Sequence, residues 1–92
     1  MPRKMSKKEI EDRFNRAKEI LGKIVNNRQI PRNIRRLAEE TISILDDTSM
    51  TPAARAASAI QNIENMAYDP NMPIFARMWV WSCVTILEPI RD

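Results

Sequence analysis

At 92 residues, 43% apolar and 29% charged, the chain has the size and composition of one soluble globular domain. One cysteine and no histidine exclude an internal disulfide and remove the commonest general base and metal ligand. The net charge of +3 is split unevenly: residues 1–36 hold 12 of the 15 Lys and Arg but only 4 of the 12 acidic residues, an asymmetry that prompts a nucleic acid or an acidic partner.

The opening Met1-Pro2-Arg3-Lys4-Met5 reads as a flexible basic tail with no apolar stretch behind it, so no secretory leader is expected. Ser6 with Glu9 three residues on has the form of a capping box. Ile10, Phe14, Ala17, Leu21 and Ile24 follow at spacings of 4, 3, 4 and 3, which predicts a first helix over about 7–25, ended by Asn26-Asn27. Gly22 inside it costs about 1 kcal/mol relative to Ala; it either faces solvent or marks a crowded helix crossing, and we favour the crossing.

Pro31 opens a second helix over about 31–45, with the stripe Ile34, Leu37/Ala38, Thr41 and Leu45. Asp46-Asp47-Thr48-Ser49 is a turn. Thr51 as N-cap and Pro52 behind it open a third helix over about 52–67, whose five alanines between 53 and 59 leave a thin surface that a neighbour can approach closely. Asp69-Pro70-Asn71 is the next turn, with Asn71 as N-cap of a fourth helix over about 72–87. Glu88-Pro89 stops it, because a residue before proline avoids the helical region. Links this short make consecutive helices antiparallel neighbours, so the fold expected is all-α, an antiparallel up-and-down four-helix bundle in a single domain. Pro31, Pro52 and Pro73 recur every 21 residues with Arg35, Arg55 and Arg77 shortly after. We read this as similar helices joined by similar links rather than a true repeat. The longest uncharged apolar run, Met78 to Leu87, is half the length a bilayer requires. No membrane partner is expected, and the setting read from the sequence is cytoplasmic.

Pro31-Arg32-Asn33-Ile34-Arg35-Arg36, Arg55-Ala56-Ala57 with Ile60, and Asp69-Pro70-Asn71-Met72-Pro73 with Arg77 and Trp81 resemble a small archaeal group, uncharacterised protein family 0147. The resemblance runs from Glu9 to about Glu88, and the Asp-Pro-Asn-Met-Pro stretch is its most specific part. It implies an all-helical bundle in an archaeal cytoplasm and brings no activity, so no functional residue is carried over.

Catalytic chemistry has little to work with. Cys83 lacks a histidine partner and falls on the apolar arc of the fourth helix, so a buried, inert thiol is expected. A single glycine cannot build a phosphate loop. Glu39-Glu40 and Asp46-Asp47 are adjacent pairs whose members face different ways, and the Glu-x-x-His motifs of a di-metal bundle are absent. The expectation is no enzyme, no cofactor and no metal site.

Two surfaces remain. Most charge on the first helix stands in i, i+4 pairs (Lys7–Glu11, Lys8–Asp12, Glu9–Arg13, Asp12–Arg16, Glu19–Lys23), and Arg35–Glu39 and Arg36–Glu40 are spaced alike. What these pairs leave over is the tail (Arg3, Lys4) with Arg28 and Arg32. Arg32, Arg35 and Arg36 also crowd the start of the second helix, where its dipole disfavours cations, while Asp46-Asp47 sit at its disfavoured end. Either nearby helix carbonyls with Glu64 and Asp69 neutralise the arginines, or Arg28, Arg32, Arg35 and Arg36 contact phosphate, as in RNA. With no aromatic residue beside them, base stacking is not offered.

The other surface is on the fourth helix. One arc gathers Phe75, Ala76, Trp79, Val80, Cys83, Val84, Ile86 and Leu87 as a complete core face. The opposite side carries Ile74, Met78 and Trp81 beside Arg77, residue types favoured where proteins meet proteins. The alternative is a helix buried all round, with Arg77 paired to Glu64 or stacked on Trp81. Our first reading is a non-enzymatic interaction module that forms a homodimer or binds a partner protein through Ile74, Arg77, Met78 and Trp81. RNA at the arginines is second.

Overall fold

Ser6 begins the first helix by reciprocal capping: its Oγ accepts from the Glu9 N–H at 3.2 Å, and its own N–H donates to Glu9 Oε1 at 3.3 Å. The computed structural model describes residues 4–92, so Arg3 of the basic tail lies outside the described residues. Met5 is half-buried and packs on the core. Four helices follow, α1 (Lys7–Val25), α2 (Arg32–Leu45), α3 (Pro52–Tyr68) and α4 (Ile74–Leu87). Each packs chiefly on two others, α1 on α2 and α4, and α3 on α2 and α4, which closes an antiparallel four-helix bundle into a ring.

The three links are built alike. In each, an Asx side chain accepts from the N–H two residues on: Asn27 from Gln29 at 2.9 Å, Asp47 from Ser49 at 3.0 Å, Asp69 from Asn71 at 2.8 Å. Its carbonyl also accepts from the residue three on, Ile30, Met50 or Met72. These are Asx turns, which replace lost helical bonds locally. Ile30 and Met72 then plug the end of the core before a proline restarts the chain. The 21-residue proline spacing thus marks a repeated link. Asn71 is no N-cap, because Asp69 already organises the turn. Pro73 caps α4, which begins at Ile74, two residues later than its periodicity predicts. Pro31 likewise caps α2 and precedes it by one residue.

In the first, second and fourth helices the core comes from the predicted stripes, with Leu21, Ile24, Ile34, Leu45, Val80 and Leu87 fully buried beside Ala17, Ala38 and Ala76. The third helix adds Ala59, Ile63 and Met66, also fully buried. Thr41 is the single buried polar residue among those described, and its hydroxyl donates to the Leu37 carbonyl at 2.7 Å. Gly22 does not mark a crossing. A Cβ placed on it meets nothing within 4 Å, so it borders open space. No helix among the described residues is long and apolar enough to cross a membrane.

Candidate functional site: an exposed apolar face on the fourth helix

Helix α4 carries only one charged residue, Arg77, between Ile74 and Leu87. Ala76, Val80, Cys83, Val84 and Leu87 point inward, as their spacing requires. On the opposite side Ile74 is 83% exposed, Met78 76% and Trp81 41%. Two further residues enlarge this face. Tyr68, the last residue of α3, is 73% exposed and meets Trp81 edge to face with ring centroids 5.9 Å apart. Phe75, expected in the core arc, is instead 44% exposed. It lies at the margin of the arc and packs edge-on against Trp79 at 5.8 Å, while Trp79 is half-buried under Lys23 of α1. These five are the large apolar residues left exposed among those described, and all fall between positions 68 and 81.

The face continues into a groove of about 640 Å³ between α4 and α1, lined by Met78, Trp81 and Ser82 on one side and by Arg16 and Ile20 on the other. Arg77 neither pairs with Glu64 nor stacks on Trp81. Its Nε is buried beside the face with no acceptor. Taking about 200 Å² for a large side chain, the five residues present on the order of 600 Å² to solvent, at the upper end of what monomers tolerate.

The arginines behave differently from one another. Arg32, Arg35 and Arg36 line a cleft of about 300 Å³ with Val25 and Glu39, and Arg28 stands apart from it. Arg35 is tied down, its Nε donating to the Ile30 carbonyl at 3.0 Å. Arg28, Arg32 and Arg36 make no ion pair or hydrogen bond among the described residues. Neither Glu64 nor Asp69 neutralises them; Asp69 accepts from Asn33 Nδ2 at 3.5 Å instead.

Of the i, i+4 pairs expected along α1 and α2, none closes as an ion pair among the described residues. The ion pair observed among the described residues instead joins α1 to the residue that follows α2, Lys18 to Asp46 at 2.6 Å. Arg13 reaches across to the Ile86 carbonyl at 2.9 Å, and Arg55 to the Leu45 carbonyl at 3.1 Å, so both serve the open C-terminal ends of neighbouring helices. Lys18 and Arg55 also explain how two aspartates are tolerated after α2. Asp47 is held below its ordinary carboxylate value chiefly by the Ser49 hydroxyl, then by the Ser49 N–H, with the Arg55 charge adding to it. Sequence spacing cannot display the Lys18, Arg13 and Arg55 contacts, because each joins residues of different helices or links.

Cys83 is fully buried, its Sγ 3.8 Å from the Ala17 carbonyl, and burial pushes its pKa up to about 12. The thiolate that a nucleophile requires is therefore suppressed. No group of three or more metal-ligating side chains stands together among the described residues.

Comparison with known proteins places this arrangement. The model of the uncharacterised protein family UPF0147 matches residues 1–90. A UPF0147 protein of Saccharolobus islandicus is 46% identical over 82 residues, covering 89% of this chain and 92% of the relative. One from Sulfurisphaera tokodaii is 48% identical over 73 residues, covering 79% and 82%. The crystal structure of the unknown-function protein MMP1188 matches with a TM-score of 0.85 at 33% identity, over 99% of this chain and 100% of that one. The chain belongs to family UPF0147. The kinship agrees with the four-helix architecture, and none of these names carries an activity.

Proposed function

We propose that the chain is a non-enzymatic interaction module whose α4 face, Ile74, Met78 and Trp81 with Arg77 at its edge, docks against protein. The observation that carries this reading is the confinement of the five exposed large apolar residues to α4 and the adjoining end of α3, with Met78 and Trp81 on one groove and Tyr68 against Trp81. Scattered apolar residues are ordinary on a surface; a rimmed cluster of this size marks an interaction site. Tyr68 and Trp81 add the rigid aromatic anchors that dominate interface energetics. The non-enzymatic half of the reading is supported by the absence of histidine from the sequence and by the buried, protonated Cys83. A cytoplasmic setting belongs to the same proposal, resting on a single free cysteine. Affinity capture from native extract tests it. The wild-type chain should retain a protein, an untagged copy of itself included, that Met78→Glu and Trp81→Asp both release. Equal retention by wild type and variants sinks the reading.

A second reading has its own observation: Arg28, Arg32 and Arg36, near the start of α2, make no ion pair or hydrogen bond among the described residues. RNA contact there would be to phosphate, weakening steeply with salt and with Arg32→Glu. No binding of RNA at low salt removes it.

A further inference from the structure

We infer that the occupant of the α4 face is a second copy of this chain, packed about a twofold axis that passes beside Met78. The inference rests on the docking reading above and commits it to one partner. Three observations lead to it.

The first is area. About 600 Å² of exposed apolar surface, at the roughly 65% apolar share typical of homodimer interfaces, corresponds to about 900 Å² per copy. A standard stable interface takes about 800 Å² from each partner, so the face is the right size for one partner of its own dimensions.

The second is charge. The net charge of +3 would oppose self-association if it lay in the contact. Most of it does not. Between Ile74 and Leu87 the helix carries only Arg77, and Arg16 of α1 lines the groove beside it. Two α4 faces can therefore meet without bringing together the main block of positive charge, since Arg28, Arg32 and Arg36, which make no pair among the described residues, belong to the second helix and the link before it.

The third is symmetry. Ile74, Met78 and Trp81 stand at i, i+4 and i+7, with Met78 near the middle. Turning the face over about an axis through Met78 lays two α4 helices antiparallel. Met78 then meets the partner's Met78, and Ile74 meets the partner's Trp81. An interface of this kind uses the same patch twice, which is the closed arrangement that most small oligomers adopt. The groove beside Trp81 leaves room for the side chains that cross the axis.

The test uses the purified full chain. Light scattering over micromolar to millimolar concentration should show the mass doubling. Met78→Glu, which places two like charges beside the axis, should raise the dimer Kd at least about 30-fold. Ile74→Glu, at the most exposed position of the face, should also weaken it with the fold intact by circular dichroism. Met78→Cys should form a disulfide-linked dimer under mild oxidation, since axis-related side chains approach within disulfide reach, whereas Ser43→Cys on the exposed side of α2 should not. The buried Cys83 does not compete.

A mass that stays monomeric to 1 mM on the order of the upper limit of typical weak association overturns the inference. So does a dimer that survives Met78→Glu. A monomer that nevertheless captures another protein through Met78 overturns the second copy and leaves the docking reading standing. A monomer with no Met78-dependent capture removes both.

Discussion

Gly22 stands in the last two turns of α1, where a helix gains from a residue with less freedom when unfolded. A Cβ there meets no neighbour, and its φ is not in the left-handed region. Gly22→Ala is therefore expected to stabilise the fold by about 0.5–1 kcal/mol, read as a rise in the thermal midpoint. Cys83 is a second position where one side chain reports on the fold. Its pKa is raised by burial, so the folded state disfavours the thiolate. Stability from this group is fully present below the unfolded thiol value near pH 9 and falls as pH climbs from there towards 12. At pH 8 a thiol reagent should leave the native protein unlabelled and react once denaturant is added. Asp47 carries the opposite sign. Its depressed pKa stabilises the turn above the ordinary carboxylate value, and that contribution is lost as pH falls through the folded one.

At the level of the helix, arginines do what capping residues do elsewhere. Arg55 near the start of α3 donates to the last carbonyl of α2 and lies 4.8 Å above the Phe14 ring of α1, so one side chain ties three helices. Arg55→Ala should lower stability by about 1–3 kcal/mol, measured by denaturant unfolding. Arg55→Lys should recover only part of it, since a point charge cannot both stack on the ring and reach the carbonyl. How far these elements are legible in sequence depends on whether the signal is local. Ser6 with Glu9 announces α1, and periodicity places Ile74, Met78 and Trp81 on one side of α4. The start of α4 is less legible, because Asn71 has the chemistry of an N-cap and Asp69 has the chemistry of an Asx turn. Only the backbone shows which one acts. Tyr68 could not be assigned to the face at all. It belongs to α3, and its meeting with Trp81 depends on how two helices are packed. The same holds for Arg13, whose predicted partner Glu9 lies one turn away while its actual acceptor is Ile86 on another helix.

For the molecule as a whole, the uneven charge that stands out in the sequence loses some of its meaning. Lys18, Arg13, Arg35 and Arg55 are each engaged in holding the bundle together. The part of the surface that nothing in the monomer accounts for is apolar, and it lies in the acidic two-thirds of the chain. If two copies share it, folding and association are linked. Raising the chain concentration 100-fold should then raise the thermal midpoint by about 4–8 °C, while Met78→Glu should unfold at a midpoint independent of concentration.

The ring of helices has one seam unlike the others. Three of its four contacts join helices that follow one another through links of a few residues, so little chain freedom is lost in forming them. The contact between α1 and α4 alone must bring together segments separated by two helices, and it is made by Cys83 near Ala17 and by Arg13 on Ile86. Loop-closure entropy is concentrated at that seam, so it is the contact that a cut or a lengthened link elsewhere in the chain leaves costliest to close.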